Sequence, residues 1–102
     1  MKFTIKIDQE AIIDIQKSSK WYEIQSKNLG NRFKNQVRKH IDSLKINPTL
    51  FSEKYKNVRC RKIVKFPFLI HYIVDEKKLI INVFAILHTS RNPKIWNKRI
   101  KK

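Results

Sequence analysis

Two stretches in the second half of the chain constrain its fold most, because each is apolar on both faces. Residues 68–74 read FLIHYIV, and residues 79–87 are apolar apart from Asn82. Strands of this kind lie inside a sheet and need cover on both sides. The polar residues 75–78 form a short link between the two stretches, which predicts an antiparallel hairpin.

The first half of the chain predicts one strand followed by two helices. Residues 2–7, KFTIKI, alternate apolar and polar side chains, as is typical of a half-buried strand. Asp8 then offers an N-cap, and apolar residues continue at helical spacing as far as Tyr22. Gly30 marks the joint between this helix and the next, so the pair predicts a helical hairpin. The apolar stripe of the second helix consists of Leu29, Phe33, Val37, Ile41 and Leu44.

The remaining segments complete one α+β domain over residues 1–102. Residues 47–57 show no period and form a connecting loop, residues 58–65 are strand-like, and Asn92-Pro93 is placed to start a short C-terminal helix. The prediction is an N-terminal strand, a helical hairpin, a three-stranded antiparallel meander completing one sheet, and this final helix. The hairpin covers one face of the sheet. Either the final helix shields the other face, or that face is a groove for a partner.

The charge balance points to an anionic partner. The chain has 24 lysine and arginine residues against 8 acidic residues, which is a formal net charge of +16. A field of this strength attracts polyanions or an acidic protein, although it says nothing about the fold. A/T-rich codons could inflate the lysine content, but codon composition alone does not explain why so few glutamate residues balance the lysines.

Composition and motif spacing exclude several kinds of site. Cys60 is the one cysteine, so we expect no internal disulfide and no cysteine-rich zinc site. The three histidines lack metal-ligand spacing, and one glycine is too few for a glycine-rich phosphate loop. No apolar run approaches the roughly 18 residues of a membrane helix, and charges interrupt the N-terminal stretch where a signal peptide is apolar. We therefore expect a cytoplasmic protein without metal, cofactor or membrane contact.

Three groups of residues carry candidate chemistry. Arg59 and Arg61 stand two apart on a predicted strand, hence on one face and about 6–7 Å apart, which suits adjacent phosphates or a carboxylate pair. His88 could transfer a proton at the end of the last strand, and Arg91 could stabilise developing negative charge. Trp96 lies in a basic stretch, where it could stack a base or anchor a partner.

Each group also has a purely structural interpretation. The two arginines could form a solvated strand face, as most basic pairs in so basic a chain do. His88 could belong to a capping turn with Thr89 or Ser90. Trp96 could pack under the sheet. Residue patterns alone leave these alternatives open.

Several short motifs, in order along nearly the whole chain, resemble one known family. They are Trp21-Tyr22-Glu23, Leu29-Gly30, Asn47-Pro48, Val58-Arg59, Phe66-Pro67-Phe68, His71-Tyr72 and the run from Ala85 to Pro93. Their order and spacing are similar to those of the RelE/ParE superfamily, toxins of type II toxin–antitoxin modules of the plasmid-stabilisation type. The fold of that family, a helical hairpin against an antiparallel sheet, agrees with the elements predicted above.

The resemblance implies a growth-arresting toxin that is neutralised by an acidic cognate antitoxin and meets operator DNA only through that antitoxin. It also implies that an antitoxin segment folds on binding and covers the second face of the sheet. The residues that we assign to this contact are Leu69, His71, Ile73, Ile80, Phe84 and Ile86.

Two groups within the superfamily differ in their target. RelE-like members cut mRNA on the ribosome with clustered basic side chains, so a RelE-like chain would use Arg59, Arg61, His88 and Arg91 in catalysis. A further arginine of that pattern aligns here with Phe68. This substitution removes a phosphate ligand and weakens the nuclease interpretation.

ParE-like members instead poison DNA gyrase by binding it, and the run from residue 86 to residue 88 resembles their last strand. The resemblance therefore favours gyrase slightly. The target-binding residues would be Arg59, Arg61, Arg91, Trp96 and Arg99. The alternatives are the ribosome-dependent endoribonuclease and a basic nucleic-acid-binding module without toxicity.

Overall fold

The computed structural model describes residues 2–90, which form two helices and five strands. In chain order these are β1 (Thr4–Ile7), α1 (Gln9–Gln25), α2 (Leu29–Ser43), β2 (Glu53–Tyr55), β3 (Val58–Lys62), β4 (Phe68–Asp75) and β5 (Ile80–His88). The predicted α+β order is confirmed, and β4 and β5 coincide with the two stretches that are apolar on both faces. The predicted C-terminal helix lies outside the described residues.

All the described strands belong to one sheet, in the order β1-β5-β4-β3-β2. Strands β2 to β5 pair antiparallel with their neighbours, whereas β1 lies parallel to β5. The loop predicted over residues 47–57 is partly wrong, because residues 53–55 form the edge strand β2. Three residues with an irregular register are too few to show a period of two.

The joint between the helices depends on Glu23 and on two special backbone positions. The Glu23 carboxylate accepts hydrogen bonds from the N–H groups of Asn28 (2.9 Å) and Gly30 (3.0 Å). Asn28, and not Gly30, adopts the left-handed conformation, with φ at 69°. Gly30 is needed for another reason: a Cβ there would lie 2.5 Å from the Ser19 carbonyl oxygen, so the helices approach too closely for a side chain.

The face of the sheet that the helices cover holds the main core. Its centre is an aromatic cluster in which Phe33 lies 5.2–5.3 Å from Tyr22 and Phe66 and 5.0 Å from Phe68, between ring centroids. The buried residues of this layer are Ala11, Phe33, Val37, Ile41, Leu44, Ile63, Phe66, Phe68, Ile70, Tyr72, Ile81, Val83 and Ile86.

The second face of the sheet carries a smaller apolar cluster. Its buried residues are Val58, Cys60, Phe84, Ala85 and Leu87, and the half-buried Tyr55, Leu69 and Ile73 pack against them. The exposed fraction of every buried member is 6% or less. The centre of this face is therefore already buried in the chain, and a partner could reach only its margin.

An irregularity in β5 divides its residues between the two faces. Tyr72 pairs with Val83 and His71 with Ala85, so Phe84 is an extra residue in β5. Such a bulge reverses the alternation of side chains beyond it. Ile86 consequently joins the helix-side core, and its N–H donates a 3.0 Å hydrogen bond to the Asp14 carboxylate on α1.

Candidate functional site

Arg59 and Arg61, the predicted arginine pair, both contact Phe51 on the helix side of β3. Arg59 Nη1 donates a 2.7 Å hydrogen bond to the Phe51 carbonyl oxygen, and its Nη2 lies 3.6 Å from the Glu53 carboxylate. The Arg61 guanidinium lies over the Phe51 ring, 4.9 Å from its centroid. Both arginines are half-buried. Their partners belong to the segment before β3, so both side chains hold that segment against the sheet.

Two buried polar groups, Tyr72 and His40, lie close enough to the pair to feel its charge. The Tyr72 hydroxyl donates a 2.9 Å hydrogen bond to the Pro48 carbonyl oxygen, and burial raises the pKa of Tyr72 to about 12. His40 Nε2 accepts a 3.0 Å hydrogen bond from the Val64 N–H. Burial, assisted by the positive charge of Arg61, lowers the pKa of His40 and keeps its ring neutral. A neutral His40 can hold the Val64 N–H only as an acceptor.

His88 takes part in a local turn. Its Nδ1 accepts a 3.1 Å hydrogen bond from the Ser90 N–H and lies 2.8 Å from the Ser90 hydroxyl. Its ring also packs edge-on against Phe68, with centroids 5.2 Å apart. The structural interpretation of a capping turn therefore describes this residue, and its Nδ1 is engaged within the chain.

The structure keeps His88 apart from the arginine pair. Arg61 pairs with Ile70, which pairs with Ile86, so His88 lies two strands and two register positions away. Strand spacing and rise place the two Cα atoms roughly 12 Å apart. The side chain of Phe68, one of the buried core residues, stands between these two sites. Among residues 2–90, the contacts seen for the candidate catalytic side chains differ. The arginines contact Phe51 and Glu53, whereas His88 contacts Phe68 and Ser90. Arg91, Trp96 and Arg99 lie outside the described residues.

Three of the six residues assigned to the antitoxin are inaccessible. Ile86 was placed on the wrong face, because the bulge at Phe84 turns it toward the helices. His71 is fully buried and Phe84 is 3% exposed. Leu69, Ile73 and Ile80 are half-buried, and they are the members of the set that a partner can touch.

Cys60 has a histidine neighbour that its place in the sequence did not reveal. It pairs with His71 across β3 and β4, and its Sγ lies 3.3 Å from His71 Nδ1. The Tyr55 hydroxyl lies 3.0 Å from the same nitrogen. Burial raises the pKa of the Cys60 thiol to about 11, so the sulfur is protonated at neutral pH. A buried, protonated thiol is a poor nucleophile, and the group is part of the packing.

Two surface features of the described residues coincide with no sequence motif. One is an apolar pocket of about 420 Å³ between α1 and the end of β5, beside Trp21, which is 58% exposed. The other is a cationic cleft along α2, which includes Arg32 and Lys65. The sequence indicated the apolar pocket only through a tryptophan on the polar side of a helix. It could not indicate the cationic cleft, because the residues of that cleft are far apart in sequence.

The part of the chain that the structure describes offers no cluster of three or more histidine, cysteine or acidic side chains placed to bind a metal ion. Neither described helix combines the length and the apolar character needed to cross a bilayer.

The chain shares its fold with solved structures of two kinds of toxin–antitoxin protein. A chain of the chromosomal ParDE system from P. aeruginosa superposes with a TM-score of 0.73 at 13% identity, over 84% of this chain and 95% of that one. A mutant E. coli RelE toxin in the free state gives 0.70 at 13% identity, over 99% and 97%. The isolated E. coli RelE toxin gives 0.64 at 16% identity, over 99% and 97%. Identities this low establish a common fold alone.

Comparison by sequence shows the family of the chain. No curated protein matches the chain. The family model described as the ParE toxin of the type II toxin–antitoxin system parDE matches residues 5–93, which is most of the chain. The chain therefore belongs to the ParE toxin family of type II toxin–antitoxin systems.

Proposed function

We propose that this toxin arrests growth by binding DNA gyrase, and that it does not cleave mRNA. Membership of the ParE family supports the first part, because the model that matches residues 5–93 describes the toxin of parDE. The similarity to RelE concerns the fold, at 13–16% identity. The proposal that the toxin does not cleave mRNA depends on the contacts of its candidate catalytic residues.

The observation that carries the proposal is the engagement of Arg59 and Arg61 within the chain. A nuclease of the RelE type needs its basic side chains aimed at a scissile phosphate, where they act on charge that develops in the transition state. Here Arg59 holds the Phe51 carbonyl oxygen and Glu53, and Arg61 covers the Phe51 ring. Arg59 therefore holds the segment before β3 by a hydrogen bond and an ion pair. Arg61 contacts the same segment through the Phe51 ring, and its buried Nε has no hydrogen-bond partner within residues 2–90.

The position of Phe68 supports the same conclusion. The resemblance aligns this residue with a further arginine of the RelE pattern, and the structure places its ring 5.0 Å from that of Phe33. Phe68 is 8% exposed. A buried aromatic side chain contributes to the core and offers nothing to a phosphate. His88, the candidate proton carrier, has its Nδ1 bonded to the Ser90 N–H, and its ring packs against Phe68.

A paired assay tests the target. Purified toxin, freed from its antitoxin, is added to gyrase in a DNA supercoiling assay, and the 5′ ends of cellular mRNAs are mapped after induction of the toxin. We expect dose-dependent loss of supercoiling that the antitoxin reverses, and no new ends within translated messages. New ends with normal supercoiling would identify an endoribonuclease, and harmless expression would favour the nucleic-acid-binding module.

The variant His88→Gln sharpens this assay. A residue that transfers a proton in catalysis contributes roughly 10²–10⁴-fold to the rate. We expect His88→Gln to inhibit gyrase as the parent toxin does, because the proposed mechanism has no proton transfer. Thermal unfolding of the variant provides the control for folding, since Ser90 loses its hydrogen-bond acceptor.

As the toxin of a type II system, the protein has a cognate antitoxin, and we propose that this partner contacts the margin of the second sheet face. Leu69, Ile73 and Ile80 supply half-buried apolar surface there. The 24 basic and 8 acidic residues of the toxin favour an acidic partner. Because the centre of the face is already buried, the antitoxin would add to a finished core and not complete an open one.

A further inference from the structure

A cleft of about 330 Å³ opens between the first half of α2 and the turn that joins β3 to β4. Its lining consists of Leu29, Arg32, Asn35, Gln36, Lys65 and Phe66. Two cations and two amides therefore surround an apolar floor, and the lining includes no carboxylate. None of the residues considered for catalysis, target binding or antitoxin binding lies in this cleft.

The walls of the cleft are held in place from within. The hydrogen bond from the Val64 N–H to His40 Nε2 ties the turn to α2. The Phe66 ring packs edge-on against Tyr22 and Phe33, with centroids 5.0 and 5.2 Å away. Binding here would order two long side chains but no loop, so its entropic cost is small.

The cations of the cleft are available to a ligand. Arg32 and Lys65 are exposed, and neither forms an ion pair with another residue between positions 2 and 90. Glu23, which lies next to the start of α2, accepts the N–H groups of Asn28 and Gly30 instead. Those helix-end N–H groups are thereby satisfied, so side chains and not the helix terminus would hold an anion.

Lys65 occupies a backbone position that suits lysine badly. Its φ is 72°, in the left-handed region where glycine and asparagine are the favoured residues. A side chain with a Cβ is disfavoured in this conformation, because the Cβ approaches the following carbonyl oxygen. The turn carries a lysine there, and this lysine lines the cleft.

The lining is suited to a sugar-phosphate backbone and not to bases. Arginine, lysine, asparagine and glutamine are the side chains that donate to phosphate and sugar oxygens. The aromatic floor residue Phe66 is 8% exposed, so no ring is open for stacking a base, as single strands require.

We propose that the cleft between α2 and the β3–β4 turn binds the phosphodiester backbone of duplex DNA, through Arg32 and Lys65. This inference rests on the proposed function in one respect: gyrase acts on duplex DNA, so a toxin bound to gyrase has a duplex beside it. The contact reads no sequence, because it reaches no base edge. The contact adds a salt-dependent contribution to the affinity of the toxin for DNA. It thereby helps to hold the toxin on gyrase that has DNA bound.

Fluorescence anisotropy of a labelled 30-base-pair duplex, titrated with the full-length toxin without gyrase, tests the site. The cleft variant combines Arg32→Gln with Lys65→Gln, and the control combines Lys77→Gln with Lys78→Gln in the β4–β5 turn, so both lose two charges. The Asp75 carboxylate accepts the backbone N–H groups at the control positions, and the substitutions leave those bonds intact. We expect at least fivefold weaker binding for the cleft variant and less than a twofold change for the control.

The salt dependence provides a second readout. Each phosphate contact adds about 0.9 to the slope of log affinity against log salt, so the cleft variant should lose about 1.8 from the magnitude of the slope. Equal losses in both variants would show that net charge alone binds DNA and would overturn the proposal. Tighter binding of a single-stranded RNA of equal length to the same cleft would also overturn it. Because gyrase is absent, failure of the supercoiling assay leaves this result unaffected.

Discussion

The two faces of the sheet are formed by the same strands but differ in the size of the apolar cluster that each face buries. The helix-covered face buries a cluster of four aromatic rings around Phe33, with α1 and α2 above it. The second face buries a smaller set centred on Phe84 and Leu87, and its margin at Leu69 and Ile73 is half-buried. The first face therefore holds most of the core, and the margin of the second is the surface on which we propose that the antitoxin binds.

The comparison predicts a large loss of stability when the helix-covered face is damaged. Phe33 is fully buried and contacts three aromatic rings, so Phe33→Ala should lower the free energy of unfolding by about 3–5 kcal/mol. Urea unfolding followed by circular dichroism measures this change. Leu69→Ala on the second face is the matched control and should cost less than half as much. Equal costs would show that the two faces contribute alike.

The margin of the second face should matter for the antitoxin more than for folding. Leu69→Ser combined with Ile73→Ser should weaken antitoxin binding at least tenfold, because both substitutions remove apolar contact surface from the partner. Calorimetric titration of the antitoxin measures the affinity, and thermal unfolding confirms that the toxin is folded. Ile46→Ser, which changes a residue that is 87% exposed elsewhere, should bind normally. Unchanged affinity of the double variant would move the antitoxin site to another surface.

A smaller effect is expected from pH, through the His40 contact on the helix-covered side. Burial lowers the pKa of His40 in the folded chain below its ordinary value near 6.5. The unfolded chain therefore binds this proton more readily, and the stabilisation is complete above pH 6.5 and is lost as pH falls through the folded-state pKa. The melting temperature should fall between pH 7 and pH 5 more steeply in the parent than in His40→Gln. Parallel curves would contradict the assignment.

The order of helices and strands was predictable from the sequence because it depends on the spacing of apolar residues over short stretches of chain. The alternation in residues 2–7 and the four-residue spacing from Leu29 to Ile41 require only neighbours along the chain. The polar link at 75–78 identified the β4–β5 hairpin. The short strand β2 was missed because three residues cannot display a period, and its existence depends on pairing with β3.

The period of two gave the wrong face for a side chain where strand pairing interrupts the alternation of side chains in β5. Counting by twos along β5 places Ile80, Phe84 and Ile86 on one face, and the extra residue at Phe84 moves Ile86 to the other. No feature of the sequence near Phe84 marks this bulge, since a bulge is a property of two strands in register. The face expected for Ile86 from alternation was wrong for this reason.

The other features of the candidate site depend on contacts between residues that are distant in sequence. Arg59 and Arg61 were predicted to share a face because their spacing is local, but their engagement by Phe51 and Glu53 depends on how the preceding segment returns to the sheet. The contact between Cys60 and His71 likewise follows from the register of β3 and β4. Local spacing can place side chains on a face, but it cannot say what meets them there.

Composition and short-range periodicity by themselves determined three properties: an α+β chain, strands that need cover on both sides, and a large positive charge. Tertiary structure alone decided which apolar residues remain accessible, which arginines are occupied, and where two distant cations, Arg32 and Lys65, come together around one cleft. The physical reason is range. Backbone preferences and side-chain alternation act over a few residues, whereas burial, register and charge proximity depend on segments that meet only after the chain has folded.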